Sequence, residues 1–264
     1  MSSEYQTLLI RQSEDHVVVV TMNRPETSNA MNTQMGRELM TWFEDMTLNP
    51  GEARCIVLTG AGEKAFCAGG DLKERKGMTD EAWSQQHAVF EHMLRAVMAC
   101  PVPILGAVNG VAYGGGTEIA AACDFLYAAE HARFALTEVT LGIMPGCGGT
   151  QNLPRAVGER RAKEIVLTGR PFSASEAAAW GLVNRVLPSA ELMKEAMATA
   201  SIIAHNAPIS VRQAKNSIHH GLQMSISDAL AFEIEAYNRT IPSEDRREGI
   251  LAFNEKRRPV FRGR

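Results

Sequence analysis

The stretch that decides the fold is residues 104–122, ILGAVNGVAYGGGTEIAAA. Its first five residues are apolar and precede turn residues, which predicts a buried strand over 104–108. A glycine-rich turn over 110–116 follows, and the alanine-rich residues after Glu118 favour a helix. A strand, a glycine turn and a helix in succession indicate an α/β architecture.

The same order of elements recurs along the first half of the chain. Hydrophobic patterns predict strands over 17–21, 55–59 and 124–127 and helices over 33–47 and 81–99. The first of these helices is expected to start at the N-cap Asn32 and to stop at Asn49-Pro50-Gly51. Strands that alternate with helices favour a parallel sheet with crossover helices.

From residue 150 onward the pattern is nearly all helical. Helices are predicted near 190–205, 208–220, 225–238 and 243–253, and residues 173–176 have the spacing of a capping box. We therefore expect an α/β core over residues 1–200 and a helical region over 201–264 that packs on a neighbouring subunit.

The composition excludes several classes of protein. The 264 residues are 45% hydrophobic and 22% charged, as in a globular protein. Lys and Arg number 27 against 30 Asp and Glu, a net charge of −3, and aromatic residues make up 6%. Neither nucleic acid nor an anionic membrane is an expected partner, because both attract a basic surface.

The cysteines and the N-terminus indicate the compartment. Five cysteines, with no CxxC pair, predict free thiols in a reducing environment. Residues 1–11 are polar, so no secretion leader is expected, and no stretch of about 18 apolar residues predicts a membrane span. A cytoplasmic protein is therefore predicted.

Missing motifs narrow the chemistry. The sequence has no GxxxxGK[ST], no GxGxxG after a strand and no GxSxG. No pair of the seven histidines has HExxH spacing, so no metal site is predicted and each histidine is interpreted as structural or at the surface.

Two glycine turns and two acids stand out as a possible site. Each turn, at 66–74 and at 110–118, follows a strand, and glycine turns that open helices present free N–H groups to an anion. A glycine-rich turn by itself more often serves a tight turn or close helix packing than catalysis. Glu118 and Glu138 lie in apolar surroundings, where burial raises a carboxyl pKa toward neutrality, so together they favour acid–base catalysis.

The chain resembles the crotonase (enoyl-CoA hydratase/isomerase) superfamily nearly from end to end. The motifs that carry the resemblance are Asn23-Arg24-Pro25-Glu26, Asn29-Ala30-Met31, the turn at 66–74, Ala107-Val108-Asn109-Gly110 with Gly114-Gly115-Gly116, Gly142-Ile143-Met144-Pro145-Gly146-Cys147-Gly148-Gly149-Thr150-Gln151, and Leu167-Thr168-Gly169. In this order and spacing they form a specific signature.

The resemblance implies repeated ββα units with a C-terminal helical trimerisation region, in a homotrimer or a dimer of trimers. It implies an acyl-CoA thioester substrate whose carbonyl oxygen is held by the amides of Gly70 and Gly115. Members that hydrate carry glutamates matching both Glu118 and Glu138, so a 2-enoyl-CoA hydratase is expected. In it Glu118 deprotonates the attacking water and Glu138 protonates the α-carbon. No cofactor is implied, because coenzyme A is part of the substrate.

Residues that bind the coenzyme A part of the substrate are carried over in the same way. The adenine side is expected at the loop around Ala68 and Leu72, and the pantetheine and phosphate side at Arg24 and Ala30. Phe253 and Lys256 are expected to reach the coenzyme A of an adjacent subunit. The predicted set is Arg24, Ala30, Ala68, Gly69, Asp71, Leu72, Lys73, Gly114, Phe253 and Lys256.

Alternatives within and outside the family remain open. Residues 71–75 and 240–249 are similar to methylglutaconyl-CoA hydratases, and the last residues are similar to carnitinyl-CoA dehydratases. An enoyl-CoA isomerase is a further alternative. Both glutamates and the net charge of −3 speak against a non-catalytic RNA-binding or assembly protein. Two positions depart from the family pattern: Gly70 stands where Ala is more frequent, and Thr137 stands where many hydratases have Pro.

Overall fold

The structure is a computed structural model that describes residues 5–13 and 15–264. Residues 1–4 of the polar N-terminal segment and Glu14 lie outside the described residues. The strands are β1 (Leu8–Gln12), β2 (Val17–Met22), β3 (Cys55–Gly60), β4 (Ala65–Cys67), β5 (Ile104–Val108), β6 (Val111–Tyr113), β7 (Phe125–Ala129), β8 (Arg133–Ala135), β9 (Phe172–Ser173) and β10 (Arg185–Leu187).

These strands form two sheets. The larger has the order β1-β2-β3-β5-β7-β10, in which only the β1–β2 pair is antiparallel. The smaller has the order β4-β6-β8-β9, with β4, β6 and β8 parallel. Along the chain, β3, β5 and β7 of the larger sheet are each followed directly by a short strand of the smaller one.

Helices follow the strand pairs and cover the sheets. They are α1 (Thr33–Leu48), α2 (Leu72–Arg75), α3 (Asp80–Ala99), α4 (Gly115–Ala122), α5 (Gly149–Val157), α6 (Glu159–Thr168), α7 (Ala174–Ala179), α8 (Ser189–His205), α9 (Pro208–Gly221), α10 (Ile226–Asn238) and α11 (Glu244–Glu255), with 3-10 helices at Pro25–Thr27 and Glu138–Leu141. The predicted α/β class with ββα units is confirmed, because β3-β4-α2 and β5-β6-α4 are such units.

The long elements match the sequence predictions. The side chain of Asn32 accepts a hydrogen bond of 2.9 Å from the Met35 amide at the start of α1, as an N-cap does. The apolar stripe of α1, including Leu39 and Phe43, is buried. The capping box forms at the start of α7, where Ser173 and Glu176 bond reciprocally. All five cysteines are free thiols, as predicted, and the structure shows that all five are buried.

The nearly all-helical pattern predicted after residue 150 is observed, but two short strands that it did not predict interrupt it. Strand β9 pairs with β8, and β10 pairs in parallel with β7 at the edge of the larger sheet. These strands have two and three residues, which is too short for a hydrophobic period to be recognised in the sequence.

The predicted boundary at residue 200 falls inside α8. This helix buries a stripe of small apolar side chains, Ala196, Ala200 and Ala204 among them, in the hydrophobic core. It packs against β2, β3, β5 and β7 of the larger sheet. The helices that follow it expose several large apolar side chains: Ile218, Leu222, Ile226, Leu230, Ile234 and Phe253.

No helix among residues 5–13 and 15–264 is both long enough and apolar enough to cross a membrane.

Candidate active site

The two predicted glycine turns contact each other in the structure. One follows β4 and the other follows β6, neighbouring strands of the smaller sheet. Gly69 has a φ of +93°, and a Cβ built on it stands 2.7 Å from the carbonyl oxygen of Tyr113 and 3.4 Å from the amide nitrogen of Gly115. Glycine is therefore required at position 69 both for its backbone angle and for the close approach.

The contact leaves two backbone N–H groups without acceptors. Met31 forms a parallel bridge with Gly70 by donating to the Gly69 carbonyl and accepting from the Asp71 amide, so the Gly70 N–H is not used. Gly115 is the first residue of α4, where the N–H has no partner within the helix. In the described part of the chain, neither N–H has an acceptor. Two such donors side by side can bind an oxyanion.

Glu118 lies one turn into α4 and is 3% exposed. Its Oε1 accepts hydrogen bonds of 2.8 Å from the amides of Cys147 and Gly149, at the start of α5. A Cβ on Gly149 would stand 2.9 Å from that oxygen, so this close approach also requires glycine. No donor from residues 5–13 or 15–264 reaches Oε2, which is left for a ligand or for water.

Glu138 begins the 3-10 helix that follows β8 and is 9% exposed. Its Oε2 is buried and has no hydrogen-bond partner among the described residues. A Cβ on Gly114 would stand 3.2 Å from Oε1, which places this carboxylate beside the turn that opens α4. A buried carboxyl oxygen without a partner is costly unless the group is protonated or meets a ligand.

The environment changes the acidity of both groups. Burial raises the pKa of Glu118 to about 7, with a smaller contribution from the Glu138 charge, against the opposing effect of the Gly149 and Cys147 amides. Burial also raises the pKa of Glu138, and the nearby Arg75 opposes that rise. A carboxyl group that titrates near neutral pH can exchange protons with a substrate at that pH.

A cavity of about 590 Å³ joins these groups. A larger cavity of about 940 Å³ lies between α3, α5 and α9 but contains neither glutamate. Of the predicted site residues, the smaller cavity is lined by Ala68, Gly69, Gly70, Leu72, Gly114, Gly115, Glu118 and Glu138. The catalytic set that the sequence predicted is thus brought together in one place.

The other predicted residues lie outside the lining. Arg24 donates to the carbonyl of Ala30 at 2.6 Å and to the Asp71 carboxylate at 2.9 Å. Asp71 also accepts from the Lys73 and Glu74 amides, and although burial opposes ionisation, the Arg24 hydrogen bond lowers the pKa of Asp71. These contacts fix the turn that carries Gly70.

Lys73 is exposed on α2, on the outer side of that turn. Phe253 is 83% exposed, and Lys256 follows at the left-handed end of α11. Neither C-terminal residue lines the cavity of its own chain. Contact of these residues with coenzyme A stays a prediction.

Sequence reasoning missed several residues that the structure places at the cavity. Arg75, Trp83 and His87 line it, and the amides of Cys147 and Gly149 hold Glu118. The run Gly146-Cys147-Gly148-Gly149 ahead of α5 is the one sequence signal for the amides. His87 was interpreted as structural or at the surface, and it is an exposed residue in the lining.

A ββα core with paired amides and two buried glutamates around one cavity defines the class to which the chain belongs. This is the enoyl-CoA hydratase/isomerase family, whose model matches residues 12–264. The structure also resembles a crystal structure of an enoyl-CoA hydratase from Bacillus anthracis, with a TM-score of 0.96 and 44% identity over 98% of this chain and 100% of that one.

Two further relatives agree with this assignment. The chain is 42% identical to the short-chain-enoyl-CoA hydratase of Clostridium acetobutylicum, over 95% of each sequence. An enoyl-CoA hydratase structure from Mycobacterium smegmatis matches with a TM-score of 0.90 and 33% identity, over 97% of this chain and 98% of that one.

Proposed function

We propose that the protein adds water across the 2,3 double bond of a 2-enoyl-CoA thioester. The observation that carries the proposal is the pair of buried glutamates, Glu118 and Glu138, that face one cavity beside two free backbone amides. The names of the relatives, among them a short-chain-enoyl-CoA hydratase, support the same reaction.

The amides of Gly70 and Gly115 are the proposed oxyanion hole. They hold the thioester oxygen and stabilise the negative charge that it gains when water adds to the β-carbon. Because the amides are fixed by the fold, they need no reorganisation during the reaction. A donor of this kind typically stabilises the transition state by about 3–4 kcal/mol.

The two glutamates divide the proton transfers. Glu118, held at Oε1 by two amides, uses Oε2 to take a proton from the attacking water. The oxygen bonds to the β-carbon, and the electrons of the double bond move to the thioester oxygen as an enolate. Glu138 then delivers its proton to the α-carbon, and the thioester carbonyl re-forms. The water is consumed, and the two acids together are left with no net change in protons.

The reaction needs only proton transfer and charge stabilisation, so no metal or redox cofactor enters the proposal. Coenzyme A is part of the substrate. We also propose that Arg24, Ala30, Asp71, Leu72 and Lys73 lie along the coenzyme A arm. Neither nucleic acid nor a membrane is a proposed partner, and a cytoplasmic location remains our proposal.

An isomerase is the main alternative, because the family includes both reactions. Moving a double bond takes one proton off and returns another, which a single carboxylate can do. The presence of two raised-pKa carboxyl groups in the cavity therefore favours hydration. Carnitinyl-type dehydration and methylglutaconyl-CoA hydration are variants of the same chemistry on other acyl groups.

The test is purified protein with crotonyl-CoA, followed by loss of the conjugated enoyl-thioester absorbance. A rapid fall to the hydration equilibrium supports the proposal. A parallel assay with 3-butenoyl-CoA measures a gain of the same absorbance. Isomerisation without hydration would contradict the hydratase proposal.

The pH dependence follows from the pKa of Glu118. Its ionised form accepts the proton from water, so kcat/KM for crotonyl-CoA is expected to fall as the pH falls below about 7. Activity is also expected to fall as the pH rises through the raised pKa of Glu138, where this group loses the proton that it donates, giving a bell-shaped profile. A thermal melt at each pH controls for unfolding, and a flat profile between pH 5 and 7 contradicts the assignment.

We propose that the protein assembles as a trimer or a dimer of trimers. The support is the run of exposed apolar side chains on α9 and α10, such as Ile218, Ile226 and Ile234, which a monomer would leave in water. Light scattering is expected to give about three or six times the chain mass. A monomer at micromolar concentration would exclude this assembly.

A further inference from the structure

Arg75 lies inside the cavity and is held there firmly. Its Nε donates to the Gln86 side-chain oxygen at 2.7 Å, and Gln86 in turn donates to Thr33 and Glu74 at 2.8 Å. The guanidinium carbon stands 4.4 Å from the centroid of the Trp83 ring. These contacts fix the direction in which the guanidinium points.

The rest of the guanidinium is left without partners. Across residues 5–13 and 15–264, no acceptor lies within hydrogen-bond distance of Nη1 or Nη2, and no carboxylate oxygen lies within 4.0 Å of the group. Burial lowers the pKa of Arg75, although the surrounding acids favour its charge. A partly buried cation with four free N–H donors is unfavourable in an empty site and favourable next to an anion.

The guanidinium lies directly against Gly70. A Cβ at position 70 would stand 3.3 Å from the Arg75 Cζ and from its Nη1. Gly70 also supplies a proposed oxyanion-hole amide. Arg75 therefore lies next to the acyl group and not next to the phosphates of coenzyme A, which the pantetheine arm keeps far from the thioester.

The charges of the cavity define what fits beside Arg75. Two carboxyl groups, Glu118 and Glu138, line the same space. Among the described lining residues, Arg75 is the only one with a permanent positive charge. An acyl group with its own carboxylate would be repelled by the glutamates unless Arg75 pairs with it, and the free Nη1 and Nη2 suit bidentate binding of a carboxylate.

We infer that Arg75 selects 2-enoyl-CoA thioesters whose acyl chain ends in a carboxylate. This inference rests on the proposed function. It assigns Arg75 as a specificity-determining residue that contacts the substrate away from the reacting carbons. Gly70 contributes by letting the guanidinium approach the backbone closely, since a Cβ there would stand 3.3 Å from it.

The test compares glutaconyl-CoA, which bears a terminal carboxylate, with crotonyl-CoA, which lacks it. The wild-type protein is expected to hydrate glutaconyl-CoA with the higher kcat/KM. In Arg75→Met that value is expected to fall roughly 10- to 100-fold for glutaconyl-CoA, the range for a lost hydrogen bond to a charged group, with much less change for crotonyl-CoA. Arg75→Lys should recover part of the loss, because lysine keeps the positive charge but lacks the paired N–H donors of the guanidinium.

Lys76→Met is the matched control, because Lys76 is an exposed cation next in sequence and outside the cavity lining. It is expected to leave both substrates unaffected. Equal losses on both substrates in Arg75→Met would overturn the inference and assign Arg75 to the glutamates or the enolate. Hydration of crotonyl-CoA but not of glutaconyl-CoA by the wild type would overturn the inference and leave the proposed function standing.

A binding measurement on the wild-type protein decides the case if the variant does not fold or if no hydration occurs. Glutaryl-CoA and butyryl-CoA are saturated and cannot be hydrated, and they differ by a terminal carboxylate. Glutaryl-CoA is expected to bind roughly 10-fold more tightly by calorimetry. Equal or weaker binding of glutaryl-CoA would count against a carboxylate site at Arg75.

Discussion

Replacing Glu138 with Gln is expected to lower kcat for crotonyl-CoA hydration by about 1,000-fold, within the range for loss of a general acid. The amide keeps the size of the side chain but has no proton of suitable acidity for the α-carbon. Glu118→Gln is expected to cause a similar loss, because the amide cannot accept the proton of the attacking water. Steady-state rates measured from the enoyl-thioester absorbance check both changes.

The matched control is Glu130→Gln. Glu130 is an exposed glutamate between β7 and β8 and is not part of the cavity lining. Its replacement is expected to leave the rate unchanged. Retention of more than a tenth of the activity in both active-site variants, with the fold intact by circular dichroism, would mean that the glutamates are not the acid and base.

A second readout separates the roles of the two glutamates. The α-hydrogens of butyryl-CoA should exchange with D₂O in the wild-type protein, because an enolate held by the Gly70 and Gly115 amides can form without water adding. Glu138→Gln should abolish that exchange, since Glu138 is the group placed to move the α-proton. Glu118→Gln should retain more of it, so the opposite order would reverse the assignment.

The long elements could be predicted because their hydrophobic periods extend over enough residues. The buried strand Cys55–Gly60 and the stripe of α1 are examples. The smaller sheet left no such signal, because β4, β6 and β8 have three residues each. The family resemblance implied ββα units, but neither it nor the periodicity predicted a second sheet.

The candidate site likewise has residues that the sequence predicts and contacts that it does not. Glu118, Glu138 and the glycine turns are visible as residue types in a sequence. The amides of Cys147 and Gly149 are backbone groups, and a backbone amide is not distinguished by residue type. Their hydrogen bonds to Glu118 therefore follow from the fold and cannot be read from the sequence. The position of the Arg75 guanidinium against Gly70 is a relation in space that one sequence does not reveal.

Gly116→Ala is the substitution expected to have the largest effect on stability. A Cβ at this position stands 2.0 Å from the carbonyl oxygen of Cys67, a backbone atom at the end of β4. The helix α4 must therefore move away from the strand. An overpacked contact of this kind costs about 3 kcal/mol, which lowers the melting temperature by about 6–12 °C in a protein of this size.

Gly115→Ala is the matched control in the same helix. The nearest atom to a Cβ there is the end of the Met31 side chain, at 3.2 Å, and a flexible methionine can move aside. Its melting temperature is expected to stay within about 2 °C of the wild type, since small volume changes against Met are tolerated. A melting temperature of Gly116→Ala equal to that of Gly115→Ala would contradict the close packing of α4 on β4.

The loss in Gly116→Ala should extend to activity at temperatures where the variant is still folded. The helix that moves carries both the Gly115 amide and Glu118, while the Gly70 amide stays with the turn after β4. A displacement of about 1 Å between such groups lowers the rate by about 100-fold. Because Gly116 has no side chain, α4 packs closely on β4, and this packing fixes the Gly115 amide and Glu118 relative to the turn after β4. Stability and catalysis should therefore fall together.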